Sequence, residues 1–80
     1  MRSDDLITEM RGYKCDISGA IYLALYDSNE RYEYFDDNNH FLFVNVYYSD
    51  GSKLRIHRNG WVRAYNNSTD KLLKTYRIKQ

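Results

Sequence analysis

Residues 41–65, FLFVNVYYSDGSKLRIHRNGWVRAY, decide the fold. Phe41 to Tyr48, Lys53 to His57 and Trp61 to Tyr65 are rich in aromatic and β-branched residues. Asp50-Gly51 and Asn59-Gly60 separate them, the pattern of an antiparallel meander. The chain has no proline, so nothing interrupts these strands. Loop length then sets what each face presents, because a one-residue change of register turns every side chain over. With two-residue loops at Asp50-Gly51 and Asn59-Gly60, Leu54 and Ile56 share a face with Arg63, while Lys53 and Arg55 share one with Val44 and Val46. With three-residue loops, Ser49-Asp50-Gly51 and Arg58-Asn59-Gly60, each loop ends in the glycine that a type I turn with a G1 bulge requires.

The three-residue register separates the faces. Leu42, Val44, Val46, Leu54, Ile56, Val62 and Ala64 lie together, and Phe41, Phe43, Tyr47, Lys53, Arg55, His57, Trp61, Arg63 and Tyr65 lie on the reverse. This register is the expected one because it keeps charge out of the aliphatic layer, where an unpaired charge is strongly unfavourable. It also sets Arg55 opposite Arg63, a like-charge pair that is unfavourable unless an anion lies nearby.

Outward from this block, Lys71 to Ile78 adds a last strand after the polar loop Asn66 to Asp70. On the other side, Ala20 to Tyr26 is ambiguous: Ala and Leu favour helix, while Ser18-Gly19 before it and Asp27-Ser28-Asn29 after it are turn signals that suit a buried strand. The turn signals favour the strand, with Arg31 to Phe35 as its hairpin partner and the run Asp36-Asp37-Asn38-Asn39 closing the unit. At the N-terminus Ser3 or Asp4 caps a short helix with Asp4 and Asp5 in its first turn. Leu6, Met10 and Tyr13 form its apolar stripe, and Gly12 stops it. The expected fold is α+β: one small domain over residues 1–80, with a short N-terminal helix packed on an antiparallel meander of four to six strands.

Eighty residues leave room for one modest core, and a domain this small buries only about 60% of its unfolded surface, so homodimer formation is a further expectation. Charged residues make up 29% and hydrophobic ones 42%, which excludes a disordered chain. The single cysteine, Cys15, has no internal disulfide partner, and no stretch reads as a signal peptide, so the expected location is cytoplasmic. The longest apolar run, Ala20 to Tyr26, falls far short of the roughly 20 residues a membrane span needs. Asn66 to Thr69 contains two overlapping sequons that read as a polar turn.

The net charge of +1 hides a partition. Residues 1–50 carry four bases against ten acids, and residues 51–80 carry eight bases against Asp70 alone. Either the two halves neutralise each other across the fold, or one pole faces a partner of opposite sign.

Catalytic constellations are weak. Cys15, His40 and His57 have no spacing that places a nucleophile beside a base, and they lack the close pairing of zinc ligands. Asp36-Asp37 reads as a solvated turn rather than a carboxylate pair, and no phosphate-gripping glycine loop exists. No catalytic residue, metal or cofactor is therefore expected, and the expected function is binding. Two surfaces are candidates. The acidic aromatic segment contains Tyr26, Asp27, Glu30, Tyr32, Glu33, Tyr34, Asp36 and Asp37, and suits a basic groove on a protein partner. As the alternative to that first reading, Lys53, Arg55, His57, Arg58, Trp61, Arg63 and Tyr65 form an aromatic and basic sheet face that suits single-stranded nucleic acid, since rings stack on bases and cations neutralise phosphates.

In its short single-domain length, lone cysteine, nine tyrosines and concentrated charge patches, the chain resembles the small proteins that phages make against bacterial defences, anti-CRISPR proteins among them. The resemblance implies a stoichiometric inhibitor in the host cytoplasm that docks on a nucleic-acid-binding effector complex. Its acidic segment would mimic a phosphate track, with the tyrosines as anchors. The basic half departs from pure nucleic-acid mimicry.

Overall fold

The two glycine-ended loops fold as the three-residue register requires. A computed structural model describes residues 1–26 and 31–79. Two helices, α1 (Arg2–Tyr13) and α2 (Ile17–Ala24), precede five strands: β1 (Arg31–Asp37), β2 (His40–Tyr47), β3 (Ser52–His57), β4 (Trp61–Asn66) and β5 (Lys71–Arg77). The strands form one antiparallel sheet in the order of the chain, an α+β meander. Val44 pairs with Ile56 and Ile56 with Val62, so both loops contain three residues. Gly51 and Gly60 take φ of 86° and 96°, and their N–H groups donate to the carbonyls of Tyr48 (3.1 Å) and His57 (2.9 Å). A side chain at either position would be strained, which is why glycine ends each loop.

The aliphatic face forms the core almost as expected. Val44, Val46, Leu54, Ile56, Val62 and Ala64 are fully buried beneath Leu6, Ile7 and Met10 of α1 and Ala20 and Ala24 of α2. Each large side chain there contributes roughly 1.5–3 kcal/mol by leaving water. One bulge alters the pattern. Phe35 pairs with Phe43 but Asp36 with Phe41, so Leu42 is the extra residue of β2. The alternation flips beyond it: Phe41, expected on the aromatic face, packs against the core instead, and Leu42, expected in the aliphatic layer, takes no part in the buried cluster.

The stretch 20–26 is helical, not a strand. Asp16 decides it, because its carboxylate accepts the N–H of Gly19 (2.8 Å) and caps α2, so that Ser18-Gly19 become its first turn. Ala20 and Ala24, four residues apart, then present a small face that approaches the sheet closely. Arg31 to Phe35 consequently pairs with β2, through the two-residue turn Asn38-Asn39, whose φ values of 49° and 65° are those of a type I′ hairpin. Of the turn signals behind the strand expectation, Asp27, Ser28 and Asn29 lie outside the described residues.

Helix α1 also departs in detail. Its buried stripe is Leu6, Ile7 and Met10, whereas Tyr13 is 73% exposed, and Lys14 in the left-handed conformation ends the helix two residues beyond Gly12. Neither Ser3 nor Asp4 caps it. The β2–β3 turn does so instead: the Asp50 carboxylate accepts the Arg2 N–H, and the Ser52 hydroxyl accepts the Ser3 N–H (3.2 Å) while donating to Asp50 (2.6 Å). Helix N-terminus and turn are therefore locked together.

Desolvation works to raise the pKa of Asp50, but hydrogen bonds from the Ser52 hydroxyl and the backbone N–H groups of Arg2 and Ser52 outweigh it, and the carboxyl is held below its ordinary value. A depressed carboxyl stabilises the fold fully above the unfolded pKa of about 3.9, and that contribution is lost as pH falls through the lower folded value. Asp50→Ala is expected to lower stability at pH 7 by about 1–2 kcal/mol. Urea unfolding at pH 7 and pH 3 checks this, the difference between the two proteins shrinking at the lower pH.

Candidate nucleic-acid interface

Both helices lie on one side of the sheet, α1 against β3, β4 and β5 and α2 against β3. Strand alternation sends the side chains of Phe43, Asn45 and Tyr47, of Lys53, Arg55 and His57, and of Trp61, Arg63 and Tyr65 to the other side. Pairing adds Arg31, Glu33 and Phe35 from β1 and Arg77 from β5. No helix covers this face among the described residues.

Rings form its floor. Phe35 stacks on Phe43 (centroids 4.6 Å apart, planes at 21°), and Phe43 stacks on His57 (6.0 Å, 15°). Cations lie over the rings: Arg55 over Phe43 (4.5 Å), Arg31 over Tyr47 (4.6 Å), Lys53 over Tyr65 (5.1 Å), and both Arg63 (5.2 Å) and Arg77 (5.4 Å) over Trp61. Each pair holds a charged head at the surface while its stem covers apolar area. Asn45, 4% exposed, accepts a hydrogen bond from Arg55 Nε (2.9 Å) and so aims that guanidinium. His57 Nδ1 accepts the N–H of Asn59 (3.2 Å) and fixes the turn beside Trp61.

The electrostatics are one-sided. Five cations occupy the face against Glu33 and, at the end of β1, Asp37, with Asp70 at the rim 3.6 Å from Lys53. Arg55 and Arg63 are direct cross-strand neighbours. The ion pairs between described residues, Met1–Asp4, Arg2–Glu9 and Lys53–Asp70, each stay within one half of the chain. Mutual neutralisation of the acidic and basic halves is therefore not what these pairs achieve.

Lys53, Arg55, His57, Trp61, Arg63 and Tyr65 thus come together as the sequence indicated, while Arg58 sits exposed in the β3–β4 loop. Arg31, Phe35, Asn45 and Arg77 belong to the same face and were missed. For Arg31, Phe35 and Arg77 the signal lay in strand parity, which the bulges at Leu42 and near Tyr65 concealed, whereas Asn45 alternates with Phe43 and Tyr47 without interruption.

The described residues of the acidic segment do not share one face of the sheet. Tyr32 and Tyr34 point to the helix side of β1, Glu33 to the opposite side, and Asp36 and Asp37 end the strand at the hairpin turn. Tyr26 is exposed beside Tyr22 (5.9 Å), and Asp27 and Glu30 lie outside the described residues.

Cys15 is half-buried between the helices, His40 ends the β1–β2 turn, and His57 is on the aromatic face, so the structure does not unite them. Among the described residues, no three His, Cys, Asp or Glu side chains gather as metal ligands, and no helix is long and apolar enough to cross a membrane. No protein family, curated protein or solved structure matches the chain.

Proposed function

We propose that the protein is a non-catalytic binding domain whose helix-free sheet face takes up single-stranded nucleic acid. The observation that carries this reading is the set of five ring-backed cations on one uncovered face, with Arg55 set directly against Arg63. Like charges at directly opposite positions of paired strands are unfavourable, and a phosphate bound between β3 and β4 would relieve the repulsion. Neighbouring rings offer stacking partners for bases without sequence preference. A single strand suits this flat sheet better than a duplex, whose bases are already stacked on one another.

Fluorescence anisotropy with labelled single-stranded DNA and RNA over a range of salt tests it. If all five cations meet phosphates, log affinity falls against log salt with a slope of about −3.5. Absence of binding at the lowest salt would overturn the reading.

A second reading rests on β1, whose seven residues are all exposed at the sheet edge and include Glu33, Asp36 and Asp37. Here the chain is a phage-type inhibitor, similar in role to anti-CRISPR proteins, that docks this edge on a nucleic-acid-handling complex and blocks its substrate. The purified chain would then inhibit such a complex at one-to-one stoichiometry, and reversing those three charges would abolish inhibition.

A further inference from the structure

We infer that β1 is a self-complementary edge through which two copies of the chain pair, joining their sheets into one of ten strands. The starting point is which backbone groups β1 leaves facing outward. Tyr48 N donates to Ser52 O and Arg58 N to Leu42 O, so from Leu42 onward the even-numbered residues of β2 bond to β3 and the odd-numbered ones, Phe43, Asn45 and Tyr47, to β1. Arg31, Glu33 and Phe35, the partners of Tyr47, Asn45 and Phe43, therefore use their N–H and C=O groups inward. Tyr32, Tyr34 and Asp36 direct theirs away from the sheet.

A two-fold axis normal to the sheet brings two such edges together antiparallel, and the outward groups restrict the register. Centred on Tyr34, the pairing sets Arg31 opposite Asp37 of the second copy at both ends, Tyr32 opposite Asp36 and Glu33 opposite Phe35. All seven residues take part, and the three outward residues of each copy supply about six backbone hydrogen bonds. Centring on Glu33 opposes two glutamates, centring on Phe35 opposes Glu33 and Asp37, and centring on Tyr32 overlaps only residues 31–33. Like charges directly opposite are unfavourable, so one register is favoured. The other edge lacks this property: β5 carries Lys71, Lys74 and Arg77, and two copies of it repel.

Side chains support the same occupant. Tyr32, Tyr34 and Phe41 form an edge-to-face row on the helix side of the sheet (5.4 and 5.9 Å), beside rather than beneath the helices, and the two tyrosines remain 50% and 48% exposed. Pairing about Tyr34 joins this row to its symmetric copy. The axis also keeps both helix layers on one side and both helix-free faces on the other. The inference stands without the nucleic-acid reading, since it draws on the edge alone.

Sedimentation equilibrium of the full chain tests it, with three variants. The wild-type chain is expected to dimerise. Tyr34→Pro deletes an outward N–H and no bond of the intrachain ladder, so it is expected to give a folded monomer. Arg31→Asp and Asp37→Arg are each expected to weaken the dimer by about tenfold or more, and the double swap to restore it. The swap decides the matter should Tyr34→Pro fail to fold. A chain that stays monomeric, including one that instead holds a different protein at β1, overturns the inference. So does a dimer indifferent to these variants or broken by Trp61→Ala.

Discussion

Trp61→Ala is expected to weaken single-stranded oligonucleotide binding by about 1–3 kcal/mol, a loss of roughly 5- to 150-fold. The indole is the floor on which both Arg63 and Arg77 rest, so its removal takes away a stacking surface and frees two guanidinium groups to disperse into solvent. Trp61 is only half-buried and faces away from the aliphatic cluster, so the fold should survive. Binding isotherms of wild type and variant at one low salt concentration, together with their thermal unfolding curves, separate the two effects. A variant that unfolds with the same midpoint but loses affinity places the indole in the interface. Unchanged affinity removes it.

The opposite profile is expected one layer below. Leu54→Ala should destabilise the protein by about 2–5 kcal/mol, because Leu54 is fully buried between Val46 and Ala64 under the helices and its truncation leaves a cavity there. A chain of this length has roughly 4–12 kcal/mol of stability in all. The midpoint of thermal unfolding should accordingly fall by on the order of 10–30 °C. Where the variant remains folded, at low temperature, its affinity for a single strand should match the wild type. A small change in melting temperature would mean that the two-layer packing is wrong.

The contrast between adjacent residues on opposite faces was legible in the sequence because two glycines made it so. Gly51 and Gly60 each require a positive φ, which selects the three-residue loop, and loop length carries the register of three strands with it. The segments lacking such a marker were harder to read. Asp16 could not be recognised as a helix cap until Ala20 and Ala24 were seen against the sheet, since Ser18-Gly19 reads equally well as a turn. The bulge at Leu42 leaves no trace in composition: Phe41, Leu42 and Phe43 suit either face, and only pairing with Phe35 and Asp36 shows which residue is extra. For the same reason Arg31 and Arg77 could not be assigned to the cationic face, although both types and positions were visible. In the sequence Asp50 reads as a turn residue. Its second role, capping α1 from 48 residues away in sequence, depends on tertiary contact alone.

The charge partition was visible too, but not its spatial meaning. Acidic Glu33, Asp36 and Asp37 lie on the β1 edge, while Lys53, Arg55, Arg63 and Arg77 spread over the helix-free face of β3 to β5. Arg31 crosses the partition, contributed by the acidic half to the basic face through its contact with Tyr47. Chain position is thus a poor guide to surface potential where an edge strand alternates between two faces.

Trp61 is the sole tryptophan, so its fluorescence reports on the helix-free face alone. Titrating the full chain with an unlabelled single-stranded oligonucleotide at low salt should quench this emission saturably as bases stack beside the indole, and added salt should reverse the quenching. An emission that does not change at any oligonucleotide concentration would contradict the account, because it would mean that nothing approaches the one face on which the rings and cations converge.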